Sequence, residues 1–177
     1  MTYKLKKFDL GTIDTTESAW VAQANKYPEA CFPTDVQRDF AWIRSNVSGS
    51  TNDGRIHYGL FTDGSDVADA AVQLVHAKRS PRSAWLKMLE LNFSPEIMLK
   101  AAHGDPHAVS SVLAMFGQAV NGSIQLCGKE HKSDTLKLYG RTDSLLQFLV
   151  LFTGVTKIKN VNITMEGRWL VLRPQAK

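Results

Sequence analysis

The sequence has 177 residues, of which 44% are hydrophobic and 21% are charged, with 21 basic and 17 acidic side chains. This balance is typical of a globular protein and argues against intrinsic disorder. A chain of this length can bury a core of its own, so we predict one domain over residues 1–177. The longest apolar run, Leu145 to Phe152, is too short to span a bilayer, so we expect no membrane span.

Targeting and cysteine patterns add little to this class assignment. The N-terminus, MTYKLKKFDLG, has basic residues with no apolar segment behind them, so it does not resemble a signal peptide and we expect a cytoplasmic protein. Cys31 and Cys127 have neither the spacing of a metal site nor that of a disulfide framework.

The first third of the chain predicts a strand and two helices. TYKLKKFDL alternates as a strand, and TTESAWVAQANKY is a helix that could be capped by Asp14, Thr15 or Thr16. TDVQRDFAWIRSNV is a second helix, starting at Thr34 or Asp35. It places one apolar set on a single face: Val36, Phe40 and Ile43.

Three strands are predicted next, after the loop SGSTNDG. RIHYGLFTD and ADAAVQLVHA are separated by a turn at Asp63 to Asp66, and SAWLKMLELNF follows the basic segment His76 to Arg82. Short polar connections favour antiparallel neighbours, and the basic segment is predicted to be a hairpin loop. The third strand is nearly all apolar, so we place it centrally in the sheet.

The stretch Leu91 to Val120 runs from that strand through a loop into a helix. Asp105 is a good N-cap and Pro106 a good first helical residue. The predicted apolar face is Val109, Val112, Leu113, Phe116 and Val120. The chain ends with a strand (TLKLYGR), a helix (DSLLQFLVLF) that Gly154 can end, and a hairpin turning at Gly167.

This order of elements resembles the GCN5-related N-acetyltransferase (GNAT) family over essentially the whole chain. The resemblance implies an α/β (α+β) fold with a mixed, mostly antiparallel sheet of about seven strands, flanked by about four helices. Two short segments add to it: Asn92 to Pro95, which closes the central strand, and Gly154-Val155, which stands where the family has Gly-Phe.

The resemblance also implies a cofactor site. Pantetheine would pair with the strand backbone at Leu91 and Phe93, pyrophosphate would bind the loop at Lys100 and Gly104, and Glu90 could be a general base. The interpretation we favour is that Glu90 is an ordinary polar interruption in a strand that is not fully buried. His103 and His107 are four apart, but Gly104 and Pro106 interrupt a helix there, so no metal site is predicted.

The sequence departs from the family pattern in this loop and at two positions of the last predicted helix. The loop LKAAHGDPHA lacks the family's glycine-rich spacing, and Asp105 would place a carboxylate where the phosphate should bind. Val150 stands where many members have a tyrosine that protonates the thiolate, and Asp143 stands where many have asparagine. These departures favour a degenerate, non-catalytic protein over an active acetyl-CoA-dependent N-acyltransferase, so acetyl-CoA is expected only if the cleft is functional.

Such a protein would act through macromolecular contacts, most simply with another protein or an assembly. Its C-terminal half is similar to degenerate GNAT-like proteins of tailed bacteriophages, including an internal virion protein of short-tailed coliphages. That likeness rests on Phe148, Leu149, Gly154, Gly167, Trp169 and Leu170. It implies a virion-associated or host-interacting role, in the host cytoplasm and the virion. A third class, a nucleic-acid-associated protein, is suggested by the basic segment His76 to Arg82.

Overall fold

The computed structural model describes residues 2–49, 54–80 and 83–174. The elements in these ranges are β1 (Tyr3–Lys7), α1 (Leu10–Lys26), α2 (Pro33–Val47), β2 (Arg55–Thr62), β3 (Ala68–Ser80), β4 (Ser83–Phe93), α3 (Pro95–Ala102), α4 (Pro106–Lys129), β5 (Thr135–Tyr139), α5 (Asp143–Val155), β6 (Val161–Glu166) and β7 (Trp169–Pro174). The predicted α/β class is confirmed. The described residues contain five helices where about four were predicted, and no helix among them is long and apolar enough to cross a membrane.

The seven strands form one mixed sheet in the order β1-β2-β3-β4-β5-β7-β6. β1 pairs antiparallel with β2, and β7 pairs antiparallel with both β5 and β6. β4 pairs in parallel with β5 from Trp85 to Met88, and β4 then continues to Phe93. The predicted central position of β4 is confirmed, since three strands lie on each side of it.

The chain divides into two compact units. The first unit consists of residues 1–73 and 90–120, and the second of residues 74–89 and 121–177, so that β3, β4 and α4 contribute to both. The single domain expected from chain length stays a prediction.

In the first unit, α1 and α2 cover an aromatic core. The rings of Phe8, Trp20, Phe40 and Phe61 meet edge to face, with Phe40 at a centroid distance of 5.3 Å from Trp20. The indole N–H of Trp20 donates to the carbonyl of Ala68 at 2.8 Å, which satisfies the one polar atom of this buried side chain. The predicted apolar face of α2 is confirmed, because its three members are all buried.

The first helix begins earlier than its predicted caps. Asp9 is the N-cap of α1: its carboxylate accepts from the N–H of Thr12 at 2.8 Å, and the Thr12 hydroxyl accepts from the N–H of Asp9 at 3.1 Å. This reciprocal pair satisfies two helix-terminal donors. The predicted caps at Asp14, Thr15 and Thr16 were therefore wrong. In α2 the first residue is Pro33, one position before Thr34, since proline fits the first helical turn.

Four later assignments also change. Residues 95–102 form helix α3 instead of a loop, and α5 continues past Gly154 to Val155. On α4, Phe116 and Val120 are buried as predicted, but Val109 and Leu113 are exposed. The basic segment is largely strand, because β3 extends to Ser80; Pro81 and Arg82 lie outside the described residues.

The second unit has an aliphatic core. Alternate residues of β4, β5 and β7 are buried there, together with one residue of α5: Leu86, Met88, Leu136, Leu138, Leu170, Leu172 and Leu149. The predicted hairpin is confirmed, with β6 and β7 joined at Gly167, whose φ is +62°. A left-handed residue at this turn favours glycine because glycine has no Cβ.

Candidate ligand-binding sites

The connection between α3 and α4 is the predicted pyrophosphate loop. It contains a Schellman motif, in which the N–H of Gly104 donates to the carbonyl of Ala101 and the N–H of Asp105 donates to that of Lys100. Gly104 has a φ of +78°, and His103 is the C-cap residue before it. The backbone conformation of Gly104 therefore ends α3.

The same connection also caps the next helix. The carboxylate of Asp105 accepts from the N–H of His107 at 2.9 Å and from that of Ala108 at 2.8 Å. The Ala108 N–H, followed by that of His107, holds the pKa of Asp105 below its usual range. The predicted cap is thus confirmed, and it occupies the N–H groups that an anion at this helix terminus would need.

Every backbone donor of this connection is accounted for. The N–H groups of His103, Gly104 and Asp105 donate to carbonyls of α3, and Pro106 has no N–H. The next two N–H groups donate to the Asp105 carboxylate, as described, and that of Val109 donates to the Asp105 carbonyl. As folded here, the connection offers no free backbone N–H from residue 103 to residue 109.

Lys100, the other predicted phosphate ligand, is engaged within its own helix. Its ammonium group lies 2.6 Å from the carboxylate of Glu96, one turn earlier in α3. Among the described residues, no group of three or more potential metal ligands is found.

Leu91 and Phe93 lie in the part of β4 beyond the positions paired with β5. They line a cavity of about 330 Å³ within the first unit, together with residues of α1, α2, β3 and α3 and the α1–α2 connection: Trp20, Ala30, Cys31, Asp35, Val36, Asp39, Phe40, Ile43, Ala71, Asn92, Pro95 and Met98. The wall is mostly apolar, with two carboxylates contributed by α2. Burial raises the pKa of the Cys31 thiol, and Asp35 and Asp39 raise it further, so this cysteine is poorly activated as a nucleophile.

Glu90 lines a second, smaller cavity of about 40 Å³ in the same unit. Asp39, His57 and Gln73 line it too, and the Nε2 atom of Gln73 is buried without a hydrogen-bond partner. Burial raises the pKa of Asp39, against the opposing effect of Arg38. The predicted base is therefore placed beside other polar groups instead of standing alone on its strand, in a space large enough for a water molecule.

Comparison with known proteins identifies the fold of this chain but finds little similarity in sequence. No family model matches the chain, and no curated protein matches it. A possible acetyltransferase from Clostridium difficile 630 has a TM-score of 0.53 at 10% identity, over 94% of this chain and 98% of that one. RimL, a ribosomal L7/L12 alpha-N-protein acetyltransferase in complex with coenzyme A, has a TM-score of 0.51 at 10% identity, over 98% and 93%. The chain has the GNAT fold.

Two residues of α5 are those that the sequence resemblance set against family positions. Val150, expected where many members have a tyrosine, is 49% exposed, and its side chain has no ionisable group. Asp143 lies in the first turn of α5, where it forms an ion pair with Arg168 at 3.0 Å; the N-cap is Thr142. Arg168 also donates to the carbonyl of Gly140 at 2.8 Å, so this arginine joins the β6–β7 hairpin to the start of the helix.

The sequence interpretation missed three polar residues that line the smaller cavity: Asp39, His57 and Gln73. Asp39 stands three positions after Val36 and one before Phe40, so helical spacing places it at the edge of the apolar face of α2. This spacing could have indicated that Asp39 lies next to the core. His57 and Gln73 come from two different strands, and only the sheet brings them to Glu90.

Proposed function

We propose that this chain is a GNAT-fold protein that does not bind acyl-CoA through the usual loop and that acts by binding another macromolecule. The observation that carries the proposal is the closed connection between α3 and α4. A pyrophosphate at the start of α4 would have to displace the Asp105 carboxylate from two N–H groups and then lie beside its negative charge. The loop therefore favours its own carboxylate over an external anion.

Titration of acetyl-CoA into the purified protein tests this directly, by calorimetry and by thermal unfolding. A ligand that prefers the folded state must raise its apparent stability, by about 2.7 kcal/mol at a concentration one hundred times Kd. We expect neither heat nor a shift in Tm at millimolar acetyl-CoA. Micromolar binding by the wild-type protein would overturn the proposal.

A matched pair of variants separates the loop from general stability. Asp105→Ala and Asp9→Ala each remove a helix N-cap in the first unit, but only the former opens the loop connection. We expect both to lower Tm and neither to bind acetyl-CoA. If Asp105→Ala gained acetyl-CoA binding and Asp9→Ala did not, the loop would be a cofactor site held shut by Asp105.

The second candidate is an active acetyl-CoA-dependent N-acyltransferase. It is favoured by the position of Glu90, which lines a small polar cavity with Asp39 and His57 and could accept a proton from an amine through a water molecule. Acetyl transfer to a panel of primary amines tests it. Turnover that is lost in Glu90→Gln, with an unchanged Tm, would favour the enzyme over the binding protein.

One candidate partner is an assembled virus particle. This candidate follows from the likeness of the C-terminal half to degenerate GNAT-like proteins of tailed bacteriophages. Mass spectrometry of purified particles from the source of the sequence tests this, with a washed, high-salt preparation as the control for adhering protein. A stoichiometric signal that survives the wash supports a virion protein. Its disappearance would leave a host-interacting role outside the particle.

A further inference from the structure

The charges of the chain are distributed unevenly over the two units. The second unit has 13 basic and four acidic residues, a net charge of +9, whereas the first has eight basic and 13 acidic residues, a net charge of −5. The modest total of +4 hides this difference. A unit of fewer than a hundred residues with a charge of +9 attracts polyanions.

One sheet face of the second unit combines lysines with aromatic rings. In β4, β5 and β7, the buried leucines and Met88 alternate with side chains that point to the opposite face. We call five of these side chains the lysine–tryptophan face: Trp85, Lys87, Lys137, Tyr139 and Trp169. Tyr139 is 39% exposed, the two tryptophans and Lys87 are partly exposed, and the Lys137 side chain is only 11% exposed. Thr135 and Val171 lie on the same face and are buried.

The two lysines of this face lie directly opposite each other, since Lys87 and Lys137 are register partners in the β4–β5 pair. Like charges in that position are destabilising. Part of the repulsion is offset by the indoles: Lys87 Nζ is 5.6 Å from the ring centroid of Trp85 and 5.5 Å from that of Trp169, and Lys137 Nζ is 3.9 Å from that of Trp85. The pair concentrates positive charge on this face, which favours an anion nearby.

The aromatic rings continue beyond the lysines. The rings of Tyr139 and Trp169 lie 4.8 Å apart, at register partners of the β5–β7 pair. Neighbouring aromatic rings and cations on a sheet are an arrangement on which unpaired bases can stack while cations attract the phosphates. A duplex has its bases covered and would gain only the charge contacts.

We propose that the lysine–tryptophan face binds single-stranded nucleic acid, with Lys87 and Lys137 supplying the positive charge that attracts phosphates and Tyr139 stacking on a base. This names the partner class of the proposed binding role and rests on it. The carboxylate of Glu166 lies 3.6 Å from Lys137 and 2.6 Å from Arg173, so it neutralises part of the positive charge that would attract a phosphate. Removal of that charge should strengthen binding.

The test is fluorescence anisotropy with a labelled 20-nucleotide single strand of mixed sequence and with the matching duplex, over a salt series. We expect the single strand to bind more tightly at each salt concentration. Lys87→Gln with Lys137→Gln should flatten the log–log salt slope by about 0.7 for each phosphate that the variant no longer neutralises. Tyr139→Ala should weaken single-strand binding about fivefold or more, and Glu166→Gln should strengthen it.

The first unit, which has a net negative charge, offers a matched control. Lys26 Nζ lies 4.9 Å from the ring centroid of Tyr27, so this unit contains a similar pair of a lysine and an aromatic ring. Lys26→Gln and Tyr27→Ala should leave binding unchanged. No binding at low salt would overturn the inference, as would equal binding of duplex and single strand. Equal competition by polyglutamate would also overturn it, by showing a general anion surface. None of these outcomes depends on acetyl-CoA, whose titration decides the proposed function separately.

Discussion

Gly104 and Asp105 are neighbours that end one helix and begin the next. The left-handed backbone of Gly104, at a φ of +78°, completes the Schellman motif of α3, and the carboxylate of Asp105 caps α4 two and three residues later. The two helices therefore share one connection in which the backbone donors are used internally. An anion-binding loop leaves such donors free.

Gly104→Ala should destabilise the protein by about 1–2 kcal/mol, because an L-residue with a Cβ disfavours the left-handed conformation. The cost is conformational, since no atom lies within 4 Å of the position of the added Cβ. Urea unfolding measures it. Gly117→Ala is the control: it is a helical glycine in α4 with equal space, so it should stabilise the protein by up to about 1 kcal/mol. Equal effects at both sites would contradict the Schellman assignment.

Asp105 should make stability depend on pH in the acid range. Its pKa is lowered in the folded state by the N–H groups of Ala108 and His107, so its contribution is present above the unfolded pKa of about 3.8 and is lost as the pH falls through the folded value. Asp105→Asn keeps a capping oxygen without the charge. Thermal unfolding from pH 7 to pH 2 should show a smaller acid-induced loss in the Asn variant. An unchanged pH profile would contradict the charged cap.

The contribution of Asp39 to stability should depend on pH with the opposite sign to that of Asp105. Burial raises its folded-state pKa, so its ionised form is the disfavoured one: its contribution to stability is greatest below the unfolded pKa of about 3.8 and falls as the pH rises through the folded value. Asp39→Asn should therefore raise Tm at pH 7 and change it less at pH 3. If the variant lost stability at pH 7, the attraction to Arg38 would outweigh burial.

The strands were easier to predict than the helix ends. Alternation of residue types and Asp-Gly turn chemistry depend on neighbours in the chain, and they located β2, β4 and the first ten residues of β3. α3 was missed because Pro95 was interpreted as the close of the central strand and Gly104 as a loop residue. Proline is compatible with the first turn of a helix and glycine with its C-terminal end, so the two residues bound a helix here.

The buried face of α4 could not be predicted from large apolar residues alone. Its buried positions within the first unit include Ala108 and Ala119, whereas Val109 and Leu113 are exposed. Met115, Phe116 and Val120 are buried as well, so the buried face mixes large and small side chains, and the alanines in it carry little hydrophobic signal. The small polar cavity was missed for a different reason: its lining comes from four elements, and only folding brings them together.

Gly59 is a core position where the restriction comes from a neighbouring side chain. A Cβ at Gly59 would lie 2.5 Å from Cε2 of Phe61 and 2.9 Å from Cβ of Ala68, both of which are buried. The ring of Phe61 is held on its other side by Phe8, at a centroid distance of 5.8 Å. Gly59→Ala should therefore cost about 1–3 kcal/mol in the free energy of unfolding, as overpacking does.

A double-mutant cycle with Phe61→Leu shows whether the clash is the cause. Phe61→Leu alone should also destabilise the protein, because it removes buried aromatic volume. In the double variant the smaller side chain leaves room for the added Cβ, so the combined loss should be less than the sum of the two single losses by about 0.5–3 kcal/mol. Strictly additive losses would mean that Gly59 is restricted by its backbone in β2 and that the ring of Phe61 has no part in it.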